Sequence, residues 1–255
     1  MKLTPDRPLS WGPLVTTAKQ YYNIIIAGGG AAGLSLAYKL SRSSLSELKV
    51  LIIDKDEKSS NDRTWSFWSL NDDVFPEATY KSWNHILIKD AKTENRIDIS
   101  PYKYQMIRGI DFYKFTKREI AKNPNFTFVK DEIIDIIDAK DMAFVKTLTQ
   151  TYSASLVFNS IPAAIPDVIS KRKNFLLQHF KGYIIETPSP AFSPELVHFM
   201  DFSVEQKSET RFGYVLPYSE TKALVEFTLF SDNLLSEDEY SHLLNNYIAN
   251  SLKIQ

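Results

Sequence analysis

Two short apolar runs near the start of the chain flank a segment with helical periodicity. Residues 22–27 and 50–53 are rich in β-branched apolar side chains, which is typical of strands buried on both faces of a sheet. Between them, residues 31–41 repeat apolar side chains at helical spacing. The pattern predicts a strand, a helix and a second strand, which together form one βαβ unit.

The middle of the chain changes from irregular to strand-like. Residues 61–83 are aromatic without clear periodicity and predict an irregular segment, whereas residues 85–89 and 96–100 flank a polar turn and predict a hairpin. Asp111 is the predicted N-cap of a helix over residues 111–122. Further strands are predicted at 126–129, 133–137, 143–148 and 155–158.

The last third of the chain predicts a second sheet. Residues 161–168 contain two prolines and indicate a crossover into it. The predicted strands, which we interpret as antiparallel, are 182–187, 197–202, 211–216 and 223–230. Ser236 with Glu239 forms a capping box ahead of a final helix.

These patterns divide the chain into an N-terminal extension and two domains. Residues 1–21 carry charges and prolines and are interpreted as a loose extension. Residues 22–160 form the predicted nucleotide-binding domain, with 61–103 contributing to the substrate side, and residues 161–255 form the predicted substrate domain. The fold class is therefore α/β, or α+β overall.

Composition removes several classes of function. The 30 basic and 31 acidic residues nearly cancel, so no overall field favours nucleic acid. The absence of cysteine excludes disulfides, thiolate nucleophiles and Cys-based metal sites, and the four histidines lack ligand spacing, so we expect no metal. No apolar run approaches the ~18 residues that a spanning helix requires, so any membrane contact is expected to be peripheral.

The glycines after the first predicted strand carry the strongest chemical signal. Gly28, Gly30 and Gly33 form G-x-G-x-x-G between a predicted strand and a predicted helix, and Asp54 ends the second strand. Such a Rossmann-like turn admits a pyrophosphate close to the backbone, and the acid binds ribose hydroxyls. A glycine turn that serves helix packing alone is the other interpretation of the bare pattern. The early position and the separate sheet favour FAD over NAD as the dinucleotide.

An arginine beside three large aromatic residues follows the second strand. Arg63 is a candidate contact for a cofactor phosphate, and Trp65, Phe67 and Trp68 are candidates for the lining of a pocket for an apolar ligand. Aromatic residues of this kind more commonly fill a core or a domain interface. The residues alone leave both interpretations open.

Glu226 stands within an otherwise almost wholly apolar predicted strand. Apolar surroundings disfavour the charged form of a carboxyl, raise its pKa and suit it to act as a general acid. Strand alternation also places Leu224, Glu226 and Thr228 on one face, which solvent would cover in the alternative interpretation.

Several segments, taken in order, resemble the lycopene β-cyclase family. The glycine motif is shared with many flavoproteins, whereas the run DRTWSFW at Asp62–Trp68 and the glutamate strand are more specific to this family. Glu226 corresponds to the first glutamate of the family's Phe-Leu-Glu-Glu-Thr motif, and Phe227 occupies the position of the second. The matching segments are 22–33, 62–68, 200–202, 216–218 and 225–228.

The resemblance implies an FAD enzyme that closes β-rings at the ends of lycopene or a related acyclic carotenoid without net redox change. Glu226 is then the acid, and NAD(P)H serves only to keep the flavin reduced. The implied architecture is a Rossmann-like FAD-binding domain with an inserted antiparallel-sheet substrate domain, in a cytoplasmic enzyme associated peripherally with the inner membrane. Family members continue into a further glycine-containing segment, so we also expect the chain to be C-terminally truncated.

Two other functions are compatible with these residues. Another FAD-dependent oxidoreductase of the same architecture, such as a hydroxylase or an isoprenoid reductase, would make Glu226 incidental. A non-catalytic dinucleotide-binding fragment would use only the glycine turn.

Overall fold

The computed structural model describes residues 20–70, 75–162 and 175–254. The chain divides into two compact units: the first takes in the described parts of Met1–Ser60 and Phe112–Pro162, and the second those of Asn61–Asp111 and Ala163–Gln255. The described part of Asn61–Asp111 belongs to the second unit, whereas the sequence predicts a contribution to the substrate side from 61–103 only. Within the described ranges, every helix is too short or too polar to cross a bilayer.

The first unit contains two helices and a sheet of six strands. Its strands are β1 (Gln20–Ala27), β2 (Val50–Asp54), β8 (Phe126–Lys130), β9 (Ile133–Ala139), β10 (Met142–Thr147) and β11 (Thr151–Asn159), and its helices are α1 (Ala31–Ser41) and the larger part of α2 (Gly109–Ile120). The strand order is β8-β2-β1-β11-β10-β9. Strands β8, β2, β1 and β11 pair in parallel, and β10 pairs antiparallel with both β11 and β9. The predicted βαβ unit is confirmed.

The second unit contains two sheets and a helix. Its strands are β3 (Thr64–Ser69), β4 (Thr79–Trp83), β5 (His85–Lys89), β6 (Glu94–Asp98), β7 (Lys103–Arg108), β12 (Leu177–Glu186), β13 (Leu196–Asp201), β14 (Thr210–Pro217) and β15 (Lys222–Ser231). The helix α3 (Glu237–Asn246) runs into a π-helical turn (Tyr247–Ser251). The larger sheet has the order β12-β15-β14-β13-β5-β6, and the smaller one β3-β7-β4. Only β13 and β5 pair in parallel among the described strands of this unit, so the predicted antiparallel sheet is largely confirmed.

The two faces of β15 pack against different parts of the second unit. Val225, Phe227 and Leu229 lie on one face and pack with Leu244 and Tyr247, which belong to the helical segment that follows the strand. On the other face, Leu224 packs in a cluster with residues of the smaller sheet, Trp83, Tyr104 and Met106. Leu224, Glu226 and Thr228 share this second face of β15 and line a cavity together with residues of the smaller sheet.

Three local predictions were wrong. The described part of residues 61–83 is not irregular throughout, because Thr64–Ser69 and Thr79–Trp83 form β3 and β4, which pair with opposite edges of β7. Asp111 is not an N-cap, because α2 begins at Gly109 directly after β7 and the Gly109 N–H donates to the Arg63 carbonyl at 2.7 Å. The predicted extension ends at residue 19, since β1 begins at Gln20.

Other predictions hold or lie outside the description. The capping box of Ser236 and Glu239 is present at the start of α3, so that prediction is confirmed. Residues 1–19 and the part of the predicted crossover from 163 onward lie outside the described residues.

Candidate active site

The glycine turn of the first unit is shaped by contacts that leave no room for side chains at two of its three positions. Gly28 has φ +104°, a conformation that L side chains rarely adopt, and a Cβ there would lie 2.6 Å from the Ser160 hydroxyl. A Cβ on Gly33 would lie 1.9 Å from the Gly28 carbonyl oxygen. At Gly30, by contrast, no described atom lies within 4 Å of the Cβ position. The turn therefore has no room for side chains at Gly28 and Gly33, whereas the space around Gly30 is open.

Asp54 ties this turn to the end of β2. Its carboxylate accepts hydrogen bonds from the backbone N–H of Gly29 at 2.6 Å and of Asp56 at 2.7 Å, and the Lys58 ammonium lies 3.9 Å away. The helix α1 starts at the same place, and its cap residue Gly30 offers no side chain to the first turn. Unsatisfied N–H groups at a helix start attract anions, and the nearby carboxylate can accept from hydroxyl groups.

Arg63 belongs to the second unit, whereas the glycines and Asp54 belong to the first. Its side chain is exposed, and the guanidinium donates to the carbonyl of the neighbouring Asp62 at 3.4 Å. Its own carbonyl accepts the bond that starts α2, so the backbone of Arg63 has a structural role as well.

The aromatic segment predicted to line a pocket forms strand β3. Thr64 and Ser66 of this strand face a cavity of the second unit, and alternation directs Trp65 and Phe67 to the opposite face. Trp68 shares the face of Ser66 and lies 5.0 Å from the ring of Tyr104 and 5.3 Å from that of Phe199, measured between centroids. Trp68 thus supports two residues of the lining without itself lining the cavity.

The cavity has a volume of about 300 Å³ and is lined by both sheets of the second unit. Apolar and aromatic side chains share the lining with hydroxyl and amide groups and a single carboxyl. The lining residues are Thr64, Ser66, Tyr104, Gln178, Phe180, Phe199, Met200, Phe212, Tyr214, Leu216, Leu224, Glu226 and Thr228.

Glu226 is the acid of this cavity. In the sheet it stands between Gly182 of β12 and Tyr214 of β14, which are its partners in register. Among the described residues, no side chain forms a hydrogen bond or an ion pair with its carboxyl. Burial raises the pKa of Glu226 to about 7. The predicted face is confirmed, since Leu224, Glu226 and Thr228 lie on it together, but this face borders a cavity and is not a plain solvated surface.

A pair of tyrosines that the sequence does not predict lies beside Glu226 in the cavity lining. The hydroxyls of Tyr104 and Tyr214 lie 2.6 Å apart, and burial raises the pKa of both phenols. Tyr214 is one of six residues in a strand that was predicted, but its partner comes from another sheet 110 positions away, and no sequence signal joins the two.

Phe227, at the position of a second glutamate in the family motif, lies on the opposite face of β15. It is 3% exposed, and its ring centroid lies 6.4 Å from that of Tyr247. Among the described residues that line the cavity, Glu226 is therefore the one that carries a carboxyl.

Within the described ranges, no group of three or more His, Asp or Glu side chains is arranged to hold a metal ion. His179 bonds through both ring nitrogens, to Ser231 at 2.8 Å and to Tyr240 at 2.6 Å. Nδ1 of His198 is buried and has no hydrogen-bond partner in the part of the chain that the structure describes, and burial lowers the pKa of His198 to about 4.

A family model for lycopene cyclase protein matches residues 23–255. The chain belongs to the lycopene cyclase family. Over 224 residues it is 23% identical to a lycopene beta-cyclase of Pantoea ananas, which covers 86% of this chain and 55% of that protein. The chain thus spans about half the length of this curated relative of the lycopene cyclase family.

Several solved structures with the same fold are those of proteins named for other activities. A geranylgeranyl bacteriochlorophyll reductase-like protein of Thermoplasma acidophilum has a TM-score of 0.63 and 18% identity over 91% of this chain and 62% of its own. The tryptophan halogenase of Shewanella frigidimarina has a TM-score of 0.62 and 12% identity over 91% and 61% of the respective chains. Halogenase PltM, solved with phloroglucinol and FAD, has a TM-score of 0.59 and 13% identity over 91% and 57%. These likenesses show the fold alone and confirm the predicted Rossmann-like architecture of this lycopene cyclase family member.

Proposed function

We propose that this protein closes β-rings at the ends of lycopene or a related acyclic carotenoid, with Glu226 as the acid and FAD as the cofactor. The observation that carries the proposal is the Glu226 carboxyl, which has no described partner on the wall of a cavity lined by aromatic, aliphatic and polar side chains, in a chain of the lycopene cyclase family. Its pKa of about 7 leaves a large fraction of the acid protonated at neutral pH.

Glu226 starts the reaction by transferring its proton to the terminal double bond of the substrate. A tertiary carbocation forms, the electron pair of a neighbouring double bond closes the six-membered ring, and the cation moves to a ring carbon. Loss of a proton from the adjacent carbon then restores a double bond. One proton enters and one leaves, so the product is an isomer of the substrate and no electrons are transferred overall.

The lining protects the cation. The rings of Phe180, Phe199 and Phe212 carry no nucleophile, and aromatic faces attract positive charge. The hydroxyls of Tyr104 and Tyr214 bond to each other, which reduces their availability as nucleophiles. Exclusion of water matters most, because water captures carbocations rapidly.

The first unit supplies the residues that would hold FAD. The open side of Gly30 accommodates a pyrophosphate, the first turn of α1 attracts it, and Asp54 accepts from a ribose hydroxyl. Gly28 and Gly33 keep the turn tight. Reduced FAD, when bound, supplies an electron-rich ring system that stabilises positive charge, and we propose NAD(P)H as its reductant. We retain Trp68 as a support of the substrate pocket, with Trp65 and Phe67 on the other face of the same strand.

The location that we propose for the protein in the cell follows from its proposed substrate. A carotenoid is insoluble in water and resides in a bilayer, so an enzyme that withdraws one end of it must touch the membrane surface. We therefore propose a cytoplasmic protein that associates peripherally with the inner membrane.

Expression of the complete gene in cells that accumulate lycopene tests the proposal. We expect carotenoids with one or two β-rings, identified by their absorption spectra and chromatographic retention. Unchanged lycopene in cells that contain soluble, flavin-loaded protein would refute the cyclase activity.

Gly30→Val is expected to remove the flavin from a folded protein. No described atom lies near the Gly30 Cβ position, so valine fits the protein but occupies the space of the pyrophosphate. An overlap of this kind costs about 1–3 kcal/mol, which weakens binding by roughly 5- to 150-fold. The flavin absorbance of the purified protein and the dissociation constant for added FAD measure this effect.

Gly33→Ala is the matched comparison for that variant. Its Cβ would overlap the Gly28 carbonyl at 1.9 Å, so the packing of α1 on β1 is lost together with the flavin. A Gly30→Val protein that binds FAD as tightly as the unchanged protein would rule out the proposed phosphate site.

A further inference from the structure

Gly182 faces Glu226 across the sheet at the place where the acid needs space. The two residues are register partners in the antiparallel pair of β12 and β15. A Cβ on Gly182 would lie 2.7 Å from Cγ of Glu226 and 3.3 Å from its carboxyl oxygen Oε1. Real Cβ atoms do not approach another carbon so closely, so the Glu226 side chain occupies the volume that any other residue at position 182 would fill.

The backbone does not require glycine at this position. Among the described glycines only Gly28 has a positive φ, so Gly182 adopts a conformation open to any residue. Its neighbours on the same face of β12, Phe180 and Ile184, carry large side chains and are 56% and 58% exposed. Glycine within a strand is unfavourable and commonly marks a close approach of another group. Here the approaching group is the side chain of the acid.

The other side of Glu226 offers no equivalent space. Tyr214, its register partner on β14, directs its hydroxyl to Tyr104 at 2.6 Å, and both rings line the cavity. If a side chain at position 182 displaced the Glu226 carboxyl, the carboxyl would have to move towards the two tyrosines or further from the β15 backbone.

We propose that Gly182 is a positioning residue. Because it lacks a side chain, it leaves the space in which the Glu226 side chain lies with its carboxyl directed towards the cavity. This inference rests on the proposed function for its effect on turnover, but the geometric effect on Glu226 does not depend on that function. β12 is an edge strand whose ten consecutive residues from Leu177 to Glu186 pair with β15, so a movement of its backbone away from Glu226 would weaken the hydrogen bonds of this pair. A methyl group at position 182 therefore acts on the Glu226 side chain.

Gly182→Ala in the complete protein tests the inference. Because displacement of a reacting group by about 1 Å costs up to roughly 100-fold in rate, we expect kcat for ring closure to fall about 10- to 100-fold. KM should change little, and the flavin content and circular dichroism should match those of the unchanged protein, since the substitution removes no contact. Gly182→Val should lower kcat further, because its side chain extends into the same volume.

Ile184→Val is the matched control on the same face of β12. This residue does not line the cavity and is exposed, so its shortening should leave kcat unchanged. If Gly182→Ala and Ile184→Val both keep the kcat of the unchanged protein, Gly182 has no positioning role.

A direct titration of Glu226 separates this inference from the cyclase proposal. The carboxyl carbon of Glu226 is followed by ¹³C NMR in glutamate-labelled protein, with Glu226→Gln assigning the signal. We expect Gly182→Ala to shift the signal and its titration midpoint, whereas Ile184→Val should not. If the shift occurs in a protein that forms no rings, the positioning role stands and the cyclase proposal fails. An unmoved titration in Gly182→Ala overturns the positioning role, whatever the activity.

Discussion

Replacing Glu226 by glutamine is expected to lower the rate of ring closure about 10²- to 10⁴-fold, the range that a general acid contributes, while FAD stays bound. Glutamine keeps the shape of the side chain but has no proton to deliver. Since no described partner bonds to the Glu226 carboxyl, the substitution breaks no contact that supports the fold. Rates of β-ring formation, measured with equal amounts of flavin-loaded protein, provide the test.

The same substitution has a predicted effect on stability that is independent of activity. Burial raises the pKa of Glu226 from 4.5 to about 7, so its contribution to stability is fully present below pH 4.5 and is lost as the pH rises through 7. At pH 8 the folded protein carries a poorly solvated carboxylate, and Glu226→Gln should stabilise it by up to about 3 kcal/mol. Denaturant unfolding at pH 5 and pH 8 measures this difference.

An exposed glutamate of the same unit serves as the control. Glu195→Gln removes the same charge at the surface and should leave the rate of ring closure unchanged. The rate of ring closure by the unchanged protein should also fall about tenfold per pH unit above pH 7, because Glu226 loses its proton there. Full activity of Glu226→Gln would remove this residue from the mechanism.

Asp201→Ala is expected to destabilise the second unit strongly. Asp201 is fully buried and accepts from the Lys89 ammonium at 3.1 Å, the Tyr247 hydroxyl at 2.9 Å and the Ser203 hydroxyl at 2.5 Å. Removing one partner of a buried ion pair costs 3–5 kcal/mol, and we expect about 2–4 kcal/mol here because Lys89 is partly exposed and can reach water. Urea unfolding at neutral pH gives the value.

The pH dependence of this loss identifies its cause. Burial alone would raise the pKa of Asp201, but the hydrogen bonds from Ser203, Lys89 and Tyr247 outweigh it and hold the pKa below its ordinary value. The contribution to stability is therefore present above about pH 4, the ordinary value of the group, and is lost as the pH falls through the lowered pKa. The difference between Asp201→Ala and the unchanged protein should narrow in acid. A constant difference would mean that packing, and not the charge, is responsible.

Local features of the sequence predicted local structure well. The turn at Gly28 and the capping box at Ser236 depend on residues within a few positions of each other, and both are present. The start of α2 was misplaced because it depends on a bond from Gly109 to Arg63, which is 46 positions (109 minus 63) earlier in the chain. The strand β3 was missed because Trp65 and Trp68 put large rings on both of its faces, which hides the alternation.

The candidate site could be predicted only in part, because it also depends on contacts between residues that are far apart in the sequence. Alternation along β15 gives the face of Glu226, but only the tertiary structure shows that the smaller sheet converts this face into a cavity wall. Tyr104 and Gly182 reach Glu226 from other strands, and register between strands cannot be deduced from composition. Their roles therefore emerged from the contacts alone.

The parallel pairing of β5 with β13 has a consequence for how the protein folds during synthesis. His85 pairs with Leu196, so 111 positions (196 minus 85) separate the partners along the chain. The β5–β6 hairpin therefore leaves the ribosome long before the strand that covers its open edge. Pairings of such long sequence separation slow folding, and an uncovered strand edge invites association with other chains. We expect this hairpin to be the segment most dependent on chaperones while the second unit is incomplete.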